Sequence, residues 1–246
     1  MRLLVMAAAA VWGAGAGWCS LAAFSRLTVP AGSPWRSSCP QGHLLPEGLY
    51  GWLAPVCRAG APHGYSSALA AATVPAGTAV LCAVLAQATG RHPELITWLV
   101  LAPPALLLAL VDARVHRLPD VLTLPLAAVT LLLLGLASVM PAARGSWLGA
   151  CSGSVGLAAV FLVIFLLSPR AMGFGDVKLA LTVGGALGWY GWRVMLLGVF
   201  AVYVIAAAHG TILVACRKAT GTTALPFGPP LLLGALLGVT IGAALP

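Results

Sequence analysis

Only five acidic residues occur in this chain of 246, namely Glu47, Glu94, Asp112, Asp120 and Asp176. Two of the three aspartates stand in polar strings at the edges of long apolar runs. Asp112 opens Asp112-Ala-Arg-Val-His116-Arg117-Leu-Pro119-Asp120, and Asp176 follows Gly173-Phe174-Gly175 and precedes Val177-Lys178. An ionised acid at the centre of a bilayer costs roughly 2.5–3.5 kcal/mol on insertion scales, so one kept near membrane depth points to function. Two carboxylates brought within about 4–6 Å cannot both ionise cheaply, and they share a proton and titrate as a pair. Such a pair suits peptide hydrolysis. The ionised member takes a proton from the attacking water, while the protonated one polarises the carbonyl and then protonates the leaving amine. Gly173 and Gly175 are expected to let the backbone before Asp176 take positive φ and to let an extended substrate strand come close.

The elements that position these acids are helices in a membrane. Hydrophobic residues make up 61% of the chain and charged residues 7%, against roughly 45–50% and 25% in an ordinary soluble domain. A crossing needs about 20 apolar residues. Runs of that kind fall near 3–24, 66–88, 96–111, 121–140, 147–167, 179–188, 194–216 and 229–245. The fold expected is therefore all-α, a polytopic transmembrane bundle of about eight helices. The run at Leu179 is short unless it continues to Trp189 and Tyr190. With two spans between them, Asp112 at the end of the third and Asp176 at the start of the sixth lie on one face and can meet.

The formal charge of +8 follows from topology rather than from a nucleic-acid partner. With eight spans, alternate loops hold Arg26, Arg36, Arg58, Arg114, Arg117, Arg170, Lys178, Arg217 and Lys218, against Arg2, Arg91, Arg144 and Arg193 on the other side. The positive-inside rule puts the richer set, and both aspartate strings with it, at the cytoplasmic face of the cell membrane. The first apolar run reads as an uncleaved helix rather than a signal peptide, because it continues to Phe24 and ends in Arg26 without a cleavage site. The stretch Ser25 to Gly64 is rich in Pro, Gly and Ser and reads as an irregular cytoplasmic loop. Residues 1–64 thus form a first helix with its loop, and 65–246 the membrane domain. Cys19, Cys82, Cys151 and Cys216 lie within or at the ends of spans and act as small hydrophobes.

Other polar residues have plainer readings. Asp120, after Pro119 and before an apolar run, reads as a helix N-cap. Asp112 ends a helix, where the macrodipole disfavours a negative charge, so capping explains it poorly. Arg114 and Lys178 can tune the acids or touch substrate, but read first as topological, lipid-facing charges. His116 reads as solvated.

Three ordered motifs resemble a known family. Asp112 with Pro119-Asp120 eight positions on, Gly173-Phe-Gly-Asp-Val-Lys-Leu-Ala180, and Pro226-Phe227-Gly228-Pro229 before the last run are similar to those of type IV prepilin peptidases. The resemblance covers roughly Trp98 to Leu237. It implies a bundle of transmembrane helices with a catalytic dyad of Asp112 and Asp176 at the cytoplasmic face. It also implies prepilin or pseudopilin substrates, cut after a glycine between a short basic leader and an apolar helix. Gly173, Gly175, Lys178, Pro226, Phe227 and Gly228 are the accompanying residues expected to shape the site, the last three as an irregular turn bordering the cleft, the alternative for them being a plain helix start with Pro229 or Pro230 in its first turn. The amino-terminal third departs from the pattern of two zinc-binding Cys-x-x-Cys pairs. It has Cys39-Pro40-Gln41-Gly42-His43 and Cys57-Arg58-Ala59-Gly60, each without its second cysteine. Cys39, His43, Cys57 and His63 can still compose a Cys₂His₂ set, but neither metal nor other cofactor is expected. Methyl transfer from S-adenosylmethionine, tied in the family to this third, is expected to be absent or weak.

Two other classes account for membrane acids. In an ion-coupled transporter or proton channel, Asp112 and Asp176 relay ions, although on this reading no further acid continues a path to the other face. In a pilus or secretion subunit with a decayed site, the intact pair goes unexplained.

Overall fold

The structure, a computed structural model, describes residues 1–30, 32–39, 42–53, 68–169, 172–217 and 226–245. Among these the regular elements are helices: α1 (Arg2–Leu27), α2 (Gly48–Leu53), α3 (Ala68–Thr89), α4 (Glu94–Val115), α5 (Asp120–Ser138), α6 (Trp147–Leu167), α7 (Phe174–Gly188), α8 (Trp192–Ala215) and α9 (Gly228–Ala244). One isolated antiparallel bridge joins Ser38 and Leu44. Setting aside the six-residue α2, the long helices fall on the eight apolar runs. Six of them, α1, α3, α4, α5, α6 and α8, are long and apolar enough to cross a membrane. The other two are shorter, with 15 residues in α7 and 17 in α9.

The chain divides into two compact units, one of Met1–Gly90 with Trp98–Arg117 and one of Arg91–Thr97 with Leu118–Pro246. In the first, α1 packs along α3 through small residues. A Cβ on Gly13 would stand 2.6 Å from the carbonyl oxygen of Thr78, and one on Gly17 2.8 Å from the Cα of Pro75. Trp12 Nε1 donates to Leu99 O at 3.0 Å, tying α1 to α4. Among the described residues of the loop after α1, several are tied to the helix end. Arg26 donates from Nε to Gly51 O at 3.1 Å and from Nη2 to Pro46 O at 2.6 Å. Its guanidinium also lies 5.4 Å from the centroid of Trp52, whose ring meets Trp35 edge-on at 5.3 Å. Arg26 therefore staples the loop to the end of α1, beyond its part in the charge bias.

In the second unit α7 is the central helix, packed by α5, α6, α8 and α9 and buried at Asp176, Val177, Leu179, Ala180 and from Thr182 through Gly188. A helix apolar on every side belongs inside a bundle. Lipid has no hydrophobic drive to press helices together, so close approach depends on small side chains. Gly149 and Gly153 of α6 face Gly184 and Gly188 of α7. A Cβ on Gly153 would come within 2.5 Å of Gly184 O. Ser154 Oγ donates to Leu181 O at 2.8 Å across the same seam, and Trp147 Nε1 joins α6 to α5 through Leu131 O at 3.0 Å.

Candidate functional site

Asp176 is held by the start of α7. That helix begins at Phe174, not near Leu179, because its first turn runs through the glycine motif itself. Gly173 is the N-cap, with φ −78° and ψ 149°. Asp176 Oδ2 accepts from the backbone N–H of Gly173 at 3.1 Å, and the N–H of Asp176 goes to Gly173 O at 3.0 Å. This is the acid's half of a capping box, since glycine has no side chain to return the bond. Asp176 is 7% exposed and sits where the helix dipole favours a negative charge.

Positive φ at Gly173 and Gly175 is not found. Gly173 is extended and Gly175 lies inside α7. Gly175 is small for a different reason, since a Cβ there would lie 2.9 Å from Leu118 Cβ. The connection before α5 is thus seated directly on the motif helix. Gly175→Ala is expected to push Leu118 away and to cost about 1–3 kcal/mol of stability, as overpacking does. A lowered melting temperature of the purified protein checks this.

Asp120 is also displaced from its expected position. Pro119 is the N-cap of α5, with φ −70° and ψ 128°, and Asp120 is the first helical residue. It makes no capping bond. Instead Asp120 Oδ1 accepts from Lys178 Nζ at 2.6 Å, with the two side chains 61% and 19% exposed. Lys178 Nζ also stands 4.7 Å over the Phe174 ring, which packs on Phe165 at 5.4 Å. Lys178 is therefore paired rather than free toward lipid. At two residues from Asp176 it does not share that residue's helix face. A mostly exposed carboxylate in such a pair contributes little, so Asp120→Asn is expected to leave most activity in place.

Asp112 lies in the last turn of α4 and is 6% exposed. The N–H of His116 closes on Asp112 O at 2.8 Å, with His116 at φ 50° in the left-handed region. His116 is exposed, as expected. Arg114, also exposed, has its guanidinium carbon 5.9 Å from the Phe24 ring. Asp112 belongs to the first compact unit and Asp176 to the second.

Pro226, Phe227 and Gly228 form a helix start rather than an irregular turn. Gly228 is the first residue of α9, prolines follow at its first turn, and Phe227 is the N-cap in the right-handed region. Proline suits that position because its missing N–H would be unpaired there anyway. Phe227 lies 6.1 Å from Phe161 and 6.0 Å from Tyr203, fastening α9 to α6 and α8.

Two of the four zinc candidates, Cys57 and His63, lie outside the described residues. Cys39 Sγ is 3.6 Å from His43 Nδ1, within a turn closed by Gly42 N to Cys39 O at 2.9 Å. Among the described residues no three His, Cys, Asp or Glu side chains converge.

Sequence reasoning passed over two polar groups. Glu94, in the first turn of α4, is 0% exposed, and neither carboxylate oxygen has a partner among the described residues. One of only five acids standing two residues before an apolar run was the available signal. Arg117 has its Nη1 buried without an acceptor, which no sequence pattern announces.

Comparison with known proteins places this geometry. Residues 99–214 match the profile of the type IV leader peptidase family. The chain is 33% identical over 153 residues to the prepilin leader peptidase/N-methyltransferase of Pseudomonas aeruginosa, covering 60% of this chain and 48% of that one. It is 32% identical over 136 residues to the protein of that name from Stutzerimonas stutzeri, covering 55% and 44%. With the one from Klebsiella pneumoniae it shares 42% identity over 96 residues, covering 39% and 42%. The chain thus spans about half the length of these curated relatives. No solved structure gives a significant match. Pro226 to Gly228 lie beyond the matched stretch, but the resemblance carried by the aspartate motifs is borne out: the stretch of this chain that is similar to the type IV leader peptidase family, residues 99–214, holds both Asp112 and Asp176.

Proposed function

We propose that this chain is a membrane aspartyl endopeptidase that removes the short basic leader from type IV prepilin-like or pseudopilin substrates at the cytoplasmic face of the cell membrane. The observation that carries the reading is the pair of buried aspartates at helix ends, both within the stretch matching the leader peptidase family. The peptidase domain is taken as residues 65–246, and the bilayer and the exported apolar helix of the substrate are its partners.

The helix termini suggest how the two acids divide the work. Asp176 is in the first turn of α7, where the dipole and the Gly173 N–H favour the ionised carboxylate. Asp112 is in the last turn of α4 and is the other member of the pair. Asp176 then takes the proton from the attacking water. Asp112 donates its hydrogen bond to the scissile carbonyl and passes its proton to the leaving amine.

Supporting the peptidase over an ion path needs the family match, because the argument from acids alone fails. Glu94, buried at the other end of α4, is an acid that a relay to the opposite face could use.

Purified full-length protein in proteoliposomes, given a substrate with a basic leader and glycine before an apolar helix, is expected to yield the mature chain with a free amino terminus. Mass spectrometry reads both outcomes at once. An uncut substrate contradicts the peptidase reading, and an N-methylated product that depends on this chain contradicts the expectation of absent or weak methyl transfer.

A further inference from the structure

Arg117 holds the buried donor for which the peptidase chemistry has no use. Its Nη1 is shielded from solvent and has no acceptor among the described residues, although a guanidinium carries five donors and no acceptor of its own. Buried polar groups are nearly always paired, so an orphan at a functional site points to an absent ligand.

The backbone fixes this side chain from both directions. Immediately before it His116 is left-handed, at φ 50°. Immediately after it Leu118 lies against Gly175, the neighbour of Asp176. Arg117 is also five residues from Asp112. A donor that follows Asp112 by five residues in the same compact unit has a use beyond biasing topology.

We propose that Arg117 grips an oxygen acceptor of the peptide being cut, either a main-chain carbonyl or an acidic side chain close to the scissile bond, and so helps to set which peptides are taken. This rests on the peptidase reading. A hydrogen bond to a charged group is lost when the guanidinium is removed, which weakens substrate capture by about 10- to 100-fold.

The test uses full-length protein in proteoliposomes and a synthetic substrate with a basic leader, a glycine and an apolar helix. Arg117→Gln is expected to raise KM by about 10- to 100-fold with kcat changed little, and Arg117→Lys, which keeps the charge but loses the fork, to recover part of the loss. In an Asp176→Asn background, where nothing is cut, Arg117→Gln is expected to weaken binding of the same labelled substrate by a similar factor. Converting the substrate's acidic side chains near the cut to amides separates the two acceptors. Equal losses that vanish in Arg117→Gln assign a carboxylate, and no effect assigns a main-chain carbonyl. If Arg117→Gln is poorly inserted, Arg117→Lys against the amide substrates gives the same coupling. Wild-type protein that cuts, with KM and binding unmoved in the variants or with kcat alone reduced, overturns the assignment of Arg117. Wild-type protein that binds but does not cut overturns the peptidase reading instead.

Discussion

Asp112→Asn and Asp176→Asn are each expected to lower leader cleavage by about 10³-fold or more while the protein stays in the membrane. Positioned acid–base groups contribute roughly 10²–10⁴-fold, and in the proposed dyad one substitution disables both roles, since a pair that shares one proton loses acid and base together. An amide at position 176 also returns a weaker, neutral acceptor to the Gly173 N–H. It nearly preserves the shape of the first turn of α7, so lost activity with normal membrane content separates chemistry from folding. Gel mobility of a co-expressed substrate, calibrated against dilutions of wild-type protein, measures the loss. Full processing by either variant would falsify the dyad.

The second large effect is expected at the α6–α7 seam. Gly153→Val places branched carbon where even a bare Cβ would stand 2.5 Å from Gly184 O, so neither backbone can yield without parting the helices. Overpacking ordinarily costs about 1–3 kcal/mol, and here it also breaks the Ser154 to Leu181 hydrogen bond. Since α7 is the central helix of its unit and carries Asp176, the expected result is loss of folded protein. Gly15→Val, on α1 with no atom near its Cβ position, is the control and should insert and melt normally. Fluorescence-detected chromatography of the two variants checks the contrast.

Much of the fold was legible because lipid demands long uninterrupted apolar runs, and these mark helices whatever surrounds them. What the runs concealed was the start of α7. Gly173-Phe-Gly-Asp looks like punctuation by propensity, yet burial of eleven residues between Asp176 and Gly188 lets the helix begin inside it, with Asp176 supplying the cap. Asp120 misled for a related reason. Pro119 took the extended cap conformation, which left Asp120 to face Lys178 across two helices, a pairing between residues 58 apart that no local window contains. The small-residue spacing of Gly149, Gly153, Gly184 and Gly188 was visible in the sequence, but its meaning depends on which helices face one another. Glu94 and Arg117 show the same limit, since burial and a missing partner are properties of the folded chain.

The claim that most needs testing is that Asp112 and Asp176 act together in one site. Cysteines placed at both positions, in a background lacking the native cysteines, measure this directly. The account predicts that the pair is joined intramolecularly by oxidation or by a linker spanning about 6 Å, a reach set by the coupling of two carboxylates, and that an excess of substrate slows the reaction. Spin labels at the same two positions separated by distances well beyond that reach, with no cross-link under any condition, would contradict it.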